Sequence, residues 1–130
     1  MPFNVLLVEQ SPVMRQFLRR VVEMPGLPES SCAVAESGAA AAREMADHPP
    51  DLIVLDTNMM APEEATLLQR IRRDPKLQHV PCIVVSEDAT ATRAQQMLDL
   101  GATAYLPKPL APAALRAAIE RSFHAGCMRN

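Results

Sequence analysis

The sequence predicts a doubly wound α/β sandwich, a five-stranded parallel sheet with helices on both faces. Three features carry that prediction. Leu52 to Leu55 is an unbroken apolar run with Ile and Val in it and none of the alternation of a half-solvated strand, the pattern of a strand buried on both faces. Five such strand-like runs alternate along the chain with five segments of helical character. The connections are short, which favours consecutive parallel strands joined by right-handed helical crossovers.

Each element has its own local signal. Phe3 to Val8 is the first strand; Ser11 is a candidate N-cap with Pro12 at the first helical position, and Met14, Leu18, Val21 and Val22 recur at helical spacing. Met24-Pro25-Gly26-Leu27-Pro28 ends that helix. Ser31 to Ala35 is a weaker second strand, Ser37-Gly38 opens an alanine-rich helix through about Ala46, and His48-Pro49-Pro50 closes it. The alanine tract at 39–42 suggests close packing of helix on sheet. The third strand, Asp51 to Leu55, leads to Ala61-Pro62-Glu63-Glu64, where a proline and two acids mark a helix start, with Leu67, Leu68 and Ile71 as its buried stripe. Pro81 to Val85 is the fourth strand, Thr90 to Leu100 the fourth helix with Gly101 as its stop, and Ala102 to Leu106 the fifth strand. Leu110 to Phe123 is the last helix, with Leu115, Ile119 and Phe123 on one stripe.

A length of 130 residues suits one domain, expected over 1–125, with a short tail at 126–130 and no output domain after it. A formal charge of −2 and a pI near 5.9 give no reason to expect a nucleic acid or an anionic membrane as partner. No apolar run approaches the ~20 residues of a membrane span, so the expected location is the cytoplasm. Cys32, Cys82 and Cys127 lack metal or disulfide spacing, and the first two read as small buried hydrophobes. The three histidines are far apart and are not expected to act as metal ligands.

In this architecture residues following the strands converge on one rim, where open α/β sheets place their sites. Those residues are Glu9 and Gln10, Asp56, Ser86, and Lys108-Pro109. Carboxylates, a hydroxyl and an ammonium around a central Asp suit a hard cation and a phosphoryl group. A carboxylate can attack phosphorus to form an acyl phosphate, Mg2+ takes oxygen ligands, and a lysine with a hydroxyl neutralises charge on equatorial oxygens. A cis Lys108-Pro109 bond would turn the lysine inward.

With Glu9, Asp56 and Asn58-Met59, Ser86, Gly101-Ala102, Tyr105 and Lys108-Pro109, the chain resembles the receiver domain of bacterial two-component response regulators, of the stand-alone chemotaxis type. The resemblance implies a flavodoxin-like three-layer sandwich with strand order 2-1-3-4-5. It implies that Asp56 accepts a phosphoryl group from a sensor histidine kinase or phosphotransfer protein. Mg2+ would be held by Glu9, Asp56 and the Asn58 carbonyl, with Lys108 and Ser86 on the phosphate. Ser86 and Tyr105 would form the switch, Asn58 and Asp88 would tune dephosphorylation, and helix four, strand five and helix five would contact an unknown downstream protein. Such a domain is not an enzyme beyond catalysing its own phosphorylation and dephosphorylation.

Two departures stand out. Gln10 occupies a position where receivers carry a second acid, which weakens Mg2+ binding by about 1–3 kcal/mol while leaving an amide oxygen as a doubtful ligand. Met60 and Glu64 replace the Pro and Gly usual after the phosphoacceptor, so that loop should take another course, since Glu at a positive φ would be strained. A degenerate receiver that binds its partner regardless of phosphorylation is therefore the alternative. A phosphatase or dehalogenase would need a second Asp where Asn58 stands, and a flavodoxin would need a phosphate loop where Glu9-Gln10-Ser11-Pro12 stands.

Overall fold

The computed structural model describes residues 3–9, 11–23, 30–56 and 61–128, with backbone alone for 3, 30, 61–65 and 123–128. Ten elements alternate: β1 (Phe3–Val8), α1 (Pro12–Val22), β2 (Ser30–Ala35), α2 (Gly38–Asp47), β3 (Leu52–Asp56), α3 (Ala61–Arg73), β4 (Cys82–Ser86), α4 (Ala91–Asp99), β5 (Ala104–Pro107) and α5 (Pro112–Met128). The strands form one parallel sheet in the order β2-β1-β3-β4-β5. Both the layered architecture and the strand order are as the sequence and its resemblance implied.

Alternate residues of each central strand feed two cores. Leu6, Val8, Ile53, Leu55 and Val84 meet Met45 of α2, Leu68 and Ile71 of α3, and Met97 of α4. Val5, Leu7, Val54, Ile83 and Val85 meet Leu18 and Val21 of α1 and Leu115 and Ile119 of α5. All five residues of β3 and all five of β4 are buried, which accounts for the continuous apolar run at 52–55: neither face sees water. Of the alanine tract, Ala41 is fully buried and Ala40, partly buried, packs against the first core, while Ala39 is exposed, so the close approach to the sheet runs along one side of the helix. Cys82 is buried and Cys32 half-buried, packed at the edge of the second core.

Caps set the helix boundaries. Ser11, Ser37 and Thr90 each accept the backbone N–H three residues on, from Met14, Ala40 and Arg93. At the end of α4, the Ala102 N–H donates to the Met97 carbonyl and the Gly101 N–H to the Leu98 carbonyl, with Gly101 at φ 111°, a Schellman closure. That closure consumes residues expected to open the fifth strand. β5 accordingly starts at Ala104, not Ala102, and Thr103 is tied to Cys82 by its backbone N–H and its hydroxyl. α5 runs past the expected end at Phe123 to Met128, so most of the segment expected as a tail is helical. Gly126 does not stop the helix, because one interior glycine costs only about 1 kcal/mol among good helix formers.

Glu64 lies within α3, and no described residue other than glycine has a positive φ, so the strain considered for that position does not arise. Residues 57–60, including Asn58 and Met60, and Gln10 lie outside the described residues. No helix among the described residues is long and apolar enough to cross a membrane.

Candidate functional site

Three residues far apart in sequence meet at the carboxyl edge of the sheet. Asp56 is the last residue of β3 and Glu9 follows β1; each is 1% exposed. Glu9 reaches its place because its backbone N–H continues the β1–β2 ladder to the Ala35 carbonyl, while its Oε1 accepts from the Ser11 N–H at 2.8 Å. Lys108 comes from the far side of β4. Its backbone N–H donates to the Ser86 carbonyl at 2.8 Å, carrying the β4–β5 ladder beyond the strand, and the Lys108–Pro109 bond is cis as the sequence suggested. Spanning two strand spacings, about 10 Å, takes a long side chain. The Lys108 Nζ ends 2.7 Å from Asp56 Oδ1.

The electrostatics follow from burial. Desolvation, and then a hydrogen bond with the neighbouring Asp56 carboxyl, push the Glu9 pKa up from 4.5 to about 7, against the opposing pull of the Ser11 N–H and the Lys108 ammonium. With both groups ionised, Glu9 Oε2 and Asp56 Oδ2 have no hydrogen-bond donor among the described residues. A proton on Glu9 turns the carboxyl–carboxyl contact into a hydrogen bond. Near neutrality the pair therefore either shares a proton or calls for a cation.

That demand is the test of whether Mg2+ fits. Two buried carboxylates with orphaned oxygens beside a single ammonium are a donor set for a hard cation. The described residues supply only these two acidic ligands, and no group of three or more His, Cys, Asp or Glu side chains is gathered anywhere among them. Gln10 and Asn58, the further oxygen donors that the sequence suggests, lie outside the described residues.

The remaining expected residues occupy the same rim differently. Ser86 ends β4 next to Asp56 in register, since Asp56 pairs with Val85, and its Oγ accepts from the Asp88 N–H at 3.1 Å. Tyr105 is half-buried on the α4 side, and its hydroxyl donates to the Asp88 carbonyl. The Asp88 carboxylate accepts from the Thr90 N–H at 2.9 Å and the Thr90 hydroxyl at 2.7 Å, and these bonds hold its pKa below the usual carboxylate range. Asp88 is thus exposed and committed to the turn that starts α4, a structural part the sequence reading had not assigned. Glu9, Asp56 and Lys108 form the centre; Ser86, Asp88 and Tyr105 form a linked arc beside it.

One residue has a large structural part that the sequence does not mark. The Arg72 guanidinium, at the end of α3, donates to the carbonyls of Gly101 at 2.9 Å and Val80 at 2.8 Å, tying α3 to the turns before β4 and β5. Nothing in the sequence signals it; the contact is close enough that a Cβ at Gly101 would sit 2.7 Å from Arg72 Cγ.

Comparison with known proteins agrees with the fold. The family model described as the response regulator receiver domain matches residues 5–120. The chain is 26% identical over 120 residues to the chemotaxis protein CheY of Pseudomonas aeruginosa, covering 92% of this chain and 95% of that protein. It is 35% identical over 122 residues to the nitrate/nitrite response regulator protein NarP of Escherichia coli, covering 92% of this chain and 54% of that one. It spans only 12%, 52% and 31% of three further relatives, a sensor histidine kinase, a phosphate-regulon transcriptional regulator and a protein-glutamate methylesterase. A CheY-like receiver domain protein from Methanospirillum hungatei superposes with a TM-score of 0.85 at 18% identity, each chain covered in full. The family match over most of the chain, with the fold and the rim residues, makes this protein a member of the response regulator receiver domain family of two-component systems.

Proposed function

We propose that Asp56 is a phosphoacceptor and that the domain relays the signal by protein contacts in the cytoplasm. The observation that carries this reading is the Lys108 ammonium 2.7 Å from the buried Asp56 carboxylate, with buried Glu9 alongside. In the proposed step a carboxylate oxygen of Asp56 attacks the phosphorus of a phosphohistidine on a sensor kinase or phosphotransfer protein. The phosphorus–oxygen bond forms as the phosphorus–nitrogen bond breaks, and the departing imidazole retains the bonding pair and takes up a proton. Lys108 and the Ser86 hydroxyl neutralise the equatorial oxygens. Glu9 and Asp56, with the Asn58 carbonyl and Gln10 as further candidates, would hold Mg2+, whose charge would offset that of the phosphoryl group. Hydrolysis of the acyl phosphate, tuned by Asn58 and Asp88, would reset the domain, and this self-catalysed chemistry would be its only reaction. Ser86 and Tyr105 would report the phosphorylated state to a downstream protein through α4, β5 and α5.

Wild type and Asp56→Asn, incubated with acetyl phosphate with and without Mg2+ and weighed by intact-protein mass spectrometry, test the reading. It expects one phosphoryl group on wild type with Mg2+ and none on the variant; uptake by both would remove Asp56 from the role. A phosphorylation-independent interaction module is the second reading, favoured by Gln10 and by the Glu9 pKa near 7, which together reduce the negative charge available to a cation at neutral pH. It expects no uptake by wild type under any of these conditions.

A further inference from the structure

The opposite pole of the sheet, at the amino ends of β4 and β5, holds a hollow that phosphoryl transfer does not use. Its volume is about 480 Å3, within the range of small-molecule sites. Val80 and Ala118 supply apolar wall, Thr103 a hydroxyl, and Arg72, His79 and Arg121 the ionisable groups; among the described residues no Asp or Glu lines it.

The two arginines differ in a way that matters for recognition. Arg72 is half-buried and fixed: its Nε donates to the Gly101 carbonyl, and its Nη1 lies 2.8 Å from the Val80 carbonyl and 3.3 Å from that of Gln78. These partners are neutral, and among the described residues no carboxylate pairs with this guanidinium and nothing accepts from its Nη2. Carbonyl dipoles therefore orient the guanidinium and leave the Nη2 N–H groups and the net charge unspent, an arrangement suited to accepting one oxygen of an oxyanion. Arg121, one turn beyond Ala118 on α5, is exposed and makes no ion pair or hydrogen bond with any described residue, Glu120 being paired with Arg116 instead.

We propose that this hollow binds a small organic acid, its carboxylate or phosphate oxygens held by Arg72 and Arg121 and its carbon skeleton against Val80 and Ala118. The site is independent of the phosphoacceptor reading, and Asp56→Asn should retain it. The test is amide chemical-shift titration of the full chain without divalent cations, using citrate and inorganic phosphate separately as probes. Saturable shifts at Val80, Thr103 and Ala118 with either probe are expected. Arg121→Glu, at an exposed position that spares the core, should weaken them by about tenfold or more, the usual effect of losing a charge-assisted hydrogen bond. Failure of both probes to saturate, equal affinity in Arg121→Glu, or shifts confined to Glu9, Asp56 and Lys108 would each overturn the proposal.

Discussion

Glu9→Gln should make the protein more stable above neutral pH while removing a proposed Mg2+ ligand. In the folded chain the Glu9 carboxyl titrates near 7, whereas in the unfolded chain it titrates near 4.5. Between those values the folded state holds a proton that the unfolded state has released, so folding stability falls as pH rises through that window and levels off above it. The interval corresponds to about 3 kcal/mol, absent below pH 4.5 and fully expressed above pH 7. Glutamine carries no charge to desolvate at any of these pH values and keeps an oxygen for the Ser11 N–H. The difference in unfolding free energy between Glu9→Gln and wild type should therefore grow by about 3 kcal/mol from pH 4 to pH 8, or roughly 10 °C in Tm. Urea denaturation of both proteins at pH 4, 5, 6, 7 and 8 measures it, and groups shared by the two cancel in the difference. Added Mg2+ at pH 8 should raise the stability of wild type and much less that of the variant. Parallel stability curves for the two proteins across the whole range would show that burial of Glu9 is not felt as a pKa change, and the reasoning would fail.

Other outcomes follow from the same geometry. Lys108→Ala leaves the Asp56 charge buried beside Glu9 without its ammonium and should destabilise by about 3 kcal/mol at pH 7, with Asp56→Asn added to it restoring most of the loss in a double-mutant denaturation cycle. Gln10→Asp should strengthen Mg2+ binding roughly tenfold to a hundredfold at pH 8, read by titration calorimetry; unchanged affinity would place residue 10 outside the cation's reach. Gly101→Ala forces a Cβ into a positive φ and to within 2.7 Å of Arg72 Cγ, so it should cost about 2 kcal/mol by thermal melting, where an unaltered Tm would contradict the closure described.

The fold was legible because a parallel sheet writes itself plainly: strands with no wet face, such as Leu52 to Leu55, must be apolar throughout, and serine or threonine with proline or glycine marks the turns between. The central site was legible for a related reason. Asp56 ends a strand, Glu9 and Lys108 each follow one, and parallel strands deliver their ends to one edge. Three things needed coordinates. The pKa of Glu9 depends on its distance from Asp56 and on a burial that a loop position does not announce. The start of β5 depends on a helix closure that claims Gly101 and Ala102. Arg72 is one of several arginines in the chain, and nothing local distinguishes the one that gathers the carbonyls of two turns.

Asp88 sits between the two residues expected to signal, its N–H on the Ser86 hydroxyl and its carbonyl taking the Tyr105 hydroxyl. One peptide segment is thus the shared pivot of both. A force that drew Ser86 inward would drag or release the anchor of the tyrosine ring, so the two displacements, if they occur, would be geared together. Tyr105→Phe would slip that gear while leaving the ring in place, and the serine could then travel without the aromatic following it.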